Sequence, residues 1–210
     1  STGATVNATI SANYTATTDA KNDGTANLTL GTDGLTVDLT SAAGSKGFNL
    51  IGSSGTDTIT ATGKADTFTI ASSGQGNLDV LDGAGGADTL QLSAGSHVFA
   101  SDANFKNIET VLANTAGSSV NLSAQTEGFT ITGKDGADII IGGDGVDIIT
   151  GGAGDDIITG GAGSDTFNID AGSDTITDLS ASDIFVVSTG ATVNATISAN
   201  YTATTDAKND

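Results

Sequence analysis

Residues 133–186 read GKDGADIII, GGDGVDIIT, GGAGDDIIT, GGAGSDTFN, IDAGSDTIT and DLSASDIFV, six consecutive units of nine residues. The sixth place of each unit is an Asp: Asp138, Asp147, Asp156, Asp165, Asp174 and Asp183. Two residues later comes a large apolar side chain: Ile140, Ile149, Ile158, Phe167, Ile176 and Phe185. Two or three Gly among the first six residues call for a tight turn, because Gly adopts positive φ without steric penalty. The next three residues form a very short strand whose central side chain points inward. Two turns and two strands complete a coil of 18 residues, and successive coils stack at an inter-strand spacing of roughly 4.8 Å. Asp138, Asp156 and Asp174 therefore form one column, and Asp147, Asp165 and Asp183 another. Carboxylates stacked so closely repel unless a cation lies between them, and carboxylates with turn carbonyls make an all-oxygen donor set that suits a hard dication such as calcium.

The middle units fit the pattern G-G-x-G-x-D-x-U-x, where U is a large apolar residue. On these residues the chain resembles the RTX repeat family, most closely over 142–168. The resemblance implies an all-β fold, a calcium-binding parallel β-roll, and several bound Ca2+ ions held at the Asp turns. It also implies export by type I secretion, with repeats that stay unfolded at low calcium and fold outside the cell.

A second, less regular array occupies residues 52–91. GSSGTDTIT carries Asp57 and Ile59, and ATGKADTFT carries Asp66 and Phe68. After a four-residue insertion around Ser72–Gly76, GNLDVLD carries Asp79 and Leu81, and GAGGADTLQ carries Asp88 and Leu90. Asp57 with Asp79, and Asp66 with Asp88, are the expected partners. Lys64 and Asn77 replace the second turn Gly here. These four Asp are candidate calcium ligands; the competing reading is a calcium-free stretch of the same solenoid with Ser and Thr filling the turns.

Residues 1–23 recur without change at 188–210, an offset of 187. An unbroken match of that length implies a tandem array, with 188–210 the start of the next copy. Within the arm, Ala4, Val6, Ala8, Ile10, Ala12, Tyr14 and Ala16 alternate with polar residues, which predicts a long half-buried strand. Ala26, Leu28 and Leu30, then Leu35, Val37 and Leu39, alternate around Gly31–Gly34, as a hairpin or as two solenoid rungs. The expected organisation is therefore an N-terminal β segment of long alternating strands with a hairpin or rungs over 1–51, the irregular array over 52–91, connecting β rungs over 92–132, the regular β-roll over 133–187, and the next copy from 188. In the connecting stretch, Asp102–Leu112 fits a short helical turn or a loop feeding a strand, of which the second is favoured by its β-branched residues. Val120, Leu122, Phe129 and Ile131 supply further inward side chains.

Composition narrows the function. Net charge is −19, with 25 acidic residues against 6 Lys and no Arg. Such a chain does not bind nucleic acid through its phosphates, nor an anionic membrane directly. No apolar run approaches the roughly 18 residues of a membrane span. No signal peptide is evident, and Ser1 reads as an internal start. With no Cys, calcium takes the place of disulfides as the staple. Asn7, Asn13 and Asn27 begin N-x-Thr sequons, and a surface glycan is a candidate partner, although Asn and Thr are also ordinary residues of an exposed strand face. His97 stands alone, read as solvated or structural at a strand edge, with no metal-protease motif or phosphate loop. No catalytic constellation is visible. The expected function is a structural module of an extracellular or cell-surface tandem-repeat protein (a filament, surface layer or adhesin stalk) that assembles with copies of itself. The alternative is a calcium-dependent folding module of a type I-secreted toxin or enzyme. An enzyme site on the solenoid surface is disfavoured by the lack of Arg.

Overall fold

A computed structural model describes residues 3–70, 79–114, 116–198 and the backbone of 208–209. The chain is an all-β parallel solenoid made of short strands. It divides into two compact units, Ser1–Ser93 with Ser101–Thr110, and Ala94–Ala100 with Val111–Asp210. The insertion expected around Ser72–Gly76 lies outside the described residues.

The first unit contains β1 (Thr5–Ile10), β2 (Tyr14–Thr15), β3 (Lys21–Asn22), β4 (Thr25–Leu30), β5 (Thr36–Asp38), β6 (Ala43–Gly44), β7 (Asn49–Ile51), β8 (Thr58–Thr60), β9 (Thr67–Ile70), β10 (Val80–Asp82) and β11 (Thr89–Leu92). After β12 (Gly95–Val98) of the second unit, a single 3-10 turn at Asp102–Asn104 leads into β13 (Phe105–Lys106) of the first. One sheet of this unit runs β1-β4-β7-β9-β11 and another β2-β5-β8-β10-β13, while β3 and β6 pair alone. Every strand pairing among the described residues is parallel, so the stretch 26–39 forms solenoid rungs and not a hairpin: Leu28 sits opposite Leu50, and Val37 opposite Ile59. The alternation over 4–17 resolves into two strands on different sheets, β1 and β2, separated at Ser11–Asn13. Their apolar residues are not half-buried throughout, since Val6 is 54% exposed and Tyr14 40%.

The second unit continues with β14 (Thr110–Leu112), β15 (Ser118–Asn121), β16 (Thr130–Thr132), β17 (Ile139–Ile141), β18 (Ile148–Thr150), β19 (Ile157–Thr159), β20 (Thr166–Ile169), β21 (Ser173–Leu179), β22 (Ile184–Val187), β23 (Thr192–Ile197) and β24 (Lys208–Asn209). Its two sheets run β14-β16-β18-β20-β22-β24 and β12-β15-β17-β19-β21-β23. Through the nonapeptide array the register step is 18: Ile140 faces Ile158, which faces Ile176, and Ile149 faces Phe167, which faces Phe185. The core centres on this file of side chains on each sheet, flanked by the buried Phe129, Ile169, Leu179 and Val187. Ile140, Ile149, Ile158, Phe167 and Ile176 are fully buried, and so are Val120, Leu122 and Ile131. Their neighbours on the same strands, Ile139, Ile148 and Ile157, point outward and are nearly half exposed, as the two-residue period of a strand requires.

Candidate metal-binding turns

The three nonapeptide turns that begin at Gly142, Gly151 and Gly160 carry Gly at their first, second and fourth places. Gly152, Gly154, Gly161 and Gly163 have φ of 107°, 141°, 103° and 129°, a region L side chains rarely enter. A Cβ on them would also overlap the carbonyl oxygens of Lys134, Gly136, Gly143 and Gly145, one coil earlier. Those oxygens therefore lie between consecutive turns. The first Gly has a different role. A Cβ on Gly133, Gly142, Gly151 or Gly160 would run into the Oδ2 atom of Asp138, Asp147, Asp156 or Asp165, the Asp of its own turn. That Gly clears the space in which the carboxylate sits.

The Asp residues form hydrogen-bonded columns. Oδ1 of Asp156 accepts the Asp138 N–H at 2.8 Å, and Oδ1 of Asp174 accepts the Asp156 N–H at 3.0 Å. In the other column Asp165 accepts from Asp147 at 2.9 Å, and Asp183 from Asp165 at 3.0 Å. In the first unit Asp79 accepts from Asp57 at 2.8 Å and Asp88 from Asp66 at 2.7 Å, both across 22 residues. All ten side chains are buried. The spacing thus brings together the partners expected from sequence. It did not single out Glu109, whose Oε2 accepts the Asp88 N–H at 2.7 Å and extends that column by one rung. Glu109 lies outside any recognisable nonapeptide, so no periodic signal marks it.

The second carboxylate oxygen separates the ten Asp into kinds. Oδ2 of Asp57 accepts from the backbone and hydroxyl of Ser53 at 3.1 and 2.6 Å. Oδ2 of Asp66 accepts likewise from Thr62 at 2.9 and 2.7 Å. Both lone pairs of these oxygens are occupied. Asp147 and Asp183 each receive one backbone N–H there, from Gly143 and Ser180. Oδ2 of Asp88, Asp138, Asp156 and Asp174 is buried with no hydrogen-bond donor. A buried carboxylate oxygen in that state carries a desolvation cost that a cation would relieve.

The carboxyl groups respond accordingly. Burial pushes Asp88 up to about 7, opposed by its hydrogen bond from Asp66 and reinforced by the negative charges of Asp66 and Glu109. Burial likewise raises Asp79, Asp138, Asp165 and Asp174 to about 6, and raises Asp147 and Asp156.

Among the described residues no three His, Cys, Asp or Glu side chains converge. An ion in these turns would therefore draw on one carboxylate oxygen per turn together with the inter-turn carbonyls. That donor set is oxygen only, which fits calcium and not a softer metal. His97 is fully buried on β12, opposite Val120, so of the two readings offered, solvated or structural, the structural one holds. The sequon Asn27 donates to Asn7 and accepts from Asn49, each at 2.6 Å, so its amide belongs to a side-chain ladder along the outer face. Among the described residues no helix is long and apolar enough to cross a membrane.

Comparison with known families finds the RTX calcium-binding nonapeptide repeat in four copies, at residues 51–69, 73–96, 130–157 and 141–176. No curated protein and no solved structure gives a match. The column residues Asp57, Asp66, Asp79, Asp88, Asp138, Asp147, Asp156, Asp165 and Asp174 fall within these copies, and the chain carries the RTX calcium-binding nonapeptide repeat in both of its arrays.

Proposed function

We propose that this chain is a calcium-stabilised structural module of an extracellular tandem-repeat protein, a stalk, filament or surface layer built from 187-residue units. One observation carries the calcium part: buried Asp oxygens at the repeat spacing with no hydrogen-bond donor, beside inter-turn carbonyls. The ligands are Asp138, Asp156 and Asp174 in one column and Asp147, Asp165 and Asp183 in the other, with Asp79 and Asp88 in the first unit. Asp57 and Asp66, whose outer oxygens are filled by Ser53 and Thr62, act as internal acceptors in a turn that needs no ion. Calcium supplies charge neutralisation and cross-turn ligation, and the RTX repeat is a structural calcium-binding element. RTX proteins are typically secreted, which supports an outer location. The unchanged recurrence of 23 residues favours the tandem stalk over the folding module of a secreted toxin or enzyme, since a passenger domain has no need of a second identical arm.

The test is a calcium titration of the chelator-treated chain, followed by circular dichroism. β signal and cooperative melting should appear at roughly 0.1–1 mM calcium, the range of extracellular sites, and not with equal Mg2+. A fold indifferent to chelator would refute the calcium reading.

A further inference from the structure

The duplicated arm occupies two complementary positions. At the start of the chain β1 pairs with the strand that follows it, Val6, Ala8 and Ile10 lying opposite Ala26, Leu28 and Leu30. Near the end, the same TVNATI sequence in β23 pairs with a strand that precedes it. There Val193, Ala195 and Ile197 lie opposite Asp174, Ile176 and Leu179, with a bulge between Ile176 and Leu179. The partners Ala26, Leu30, Asp174, Ile176 and Leu179 are all buried. The Val, Ala and Ile of the arm therefore lie on the same face in both pairings, which a slip of one residue would reverse. A second strand of the arm repeats the relation. β3 pairs forward with β6, Lys21 opposite Ala43 and Asn22 opposite Gly44. Its duplicate β24 pairs backward with β22, Lys208 opposite Val186 and Asn209 opposite Val187.

In each setting one edge of the arm is unpaired. Among the described residues β1, β23 and β24 are end strands of their sheets. The apolar face is correspondingly uncovered: Val6 is 54% exposed and Ile197 58%. A cavity of about 830 Å³ opens beside Val6, Ala8 and Ile10, with Leu28, Leu39 and Phe48 also lining it. An open strand edge over an apolar face invites further pairing.

We infer that the two settings are the two sides of one junction rung: β23 and β24 serve as strands of the first turn of a following copy, held between β21 and β22 of one copy and the counterparts of β4 and β6 in the next. The occupant of each open edge is a second copy of this chain, so the solenoid passes from copy to copy without a linker. The inference rests on the tandem reading of the 187-residue offset and not on calcium binding.

The chain has no Cys, which makes cysteine pairing a clean test. Side chains on paired strands sit about 4.8 Å apart, within disulfide reach. In a two-copy chain, with residues 24–210 repeated after residue 210, Asn194→Cys is combined either with Thr175→Cys of the first copy or with Asn27→Cys of the second. Both pairs should oxidise as completely as Asn7→Cys with Asn27→Cys does in the 210-residue chain. Lys208→Cys, with Val186→Cys or with the second copy's Ala43→Cys, provides the same comparison if the first set does not fold. Crosslinking to the preceding strand alone, or to neither strand, overturns the junction. Crosslinks on both sides in a chain whose circular dichroism ignores calcium would uphold the junction and refute the calcium reading.

Discussion

At the scale of single residues, the decisive difference among the ten Asp is whether the outer oxygen already has donors. Asp66 has two from Thr62, and Asp156 has none. Asp156→Asn should reduce the number of tightly bound calcium ions, or weaken the site by at least the roughly ten- to hundredfold that loss of a mere supporting group costs. Asp66→Asn should leave the calcium count unchanged. It should instead destabilise the fold by about 1–3 kcal/mol, because its amide would face donors where an acceptor is needed. Equilibrium dialysis with urea melts separates the two effects, and equal loss of calcium in both variants would show that the hydroxyl-filled turns bind metal too. Hydroxyl filling was legible in the Ser and Thr of 52–69 only as one of two readings, because spacing alone does not say where a hydroxyl points.

At the scale of the strand, β18 shows how little sequence separates core from surface. Ile149 is fully buried, while Ile148 beside it is 45% exposed. Ile149→Ala should cost about 2–5 kcal/mol, because the narrow interior has no second layer to collapse into the void. Ile148→Ala should cost about 0.5 kcal/mol or less. Calcium-loaded urea melts give both numbers, and comparable losses would contradict the assigned register. The alternation of β18 was readable directly from the nonapeptide. The same kind of alternation at 4–17 misled, because it continues across the Ser11–Asn13 break where the chain turns from one sheet to another.

For the whole molecule, charge makes stability depend on pH with opposite signs in the two metal states. Burial raises the carboxyls of Asp79, Asp88, Asp138, Asp165 and Asp174 from 3.8 to about 6 or 7. Between those limits the metal-free fold holds more protons than the unfolded chain, so its stability falls as pH rises from about 4 to 7 and levels off beyond. The net charge of −19 near neutrality pushes the same way through self-repulsion. Calcium binds the ionised carboxylates, so the loaded fold gains stability over that same interval. Thermal melts at several pH values, with chelator and with calcium, should therefore show slopes of opposite sign. A metal-free midpoint that rises from pH 4.5 to 7 would contradict the burial of these groups.

By itself the sequence determined the parallel solenoid, the inward file of Ile and Phe, and the stacking partners among the Asp. These follow from a period of nine, and a period is a local property that each unit states again. It also showed the 187-residue duplication, which needs only identity to be seen. Tertiary structure decided what depends on contacts across coils. It chose rungs over a hairpin for 26–39, gave Glu109 its place above Asp88, buried His97, and filled two of the ten outer oxygens with hydroxyls. It also set the same arm against opposite neighbours at its two positions. An identical sequence cannot say which of its edges is paired, because that is a property of the strand lying beside it.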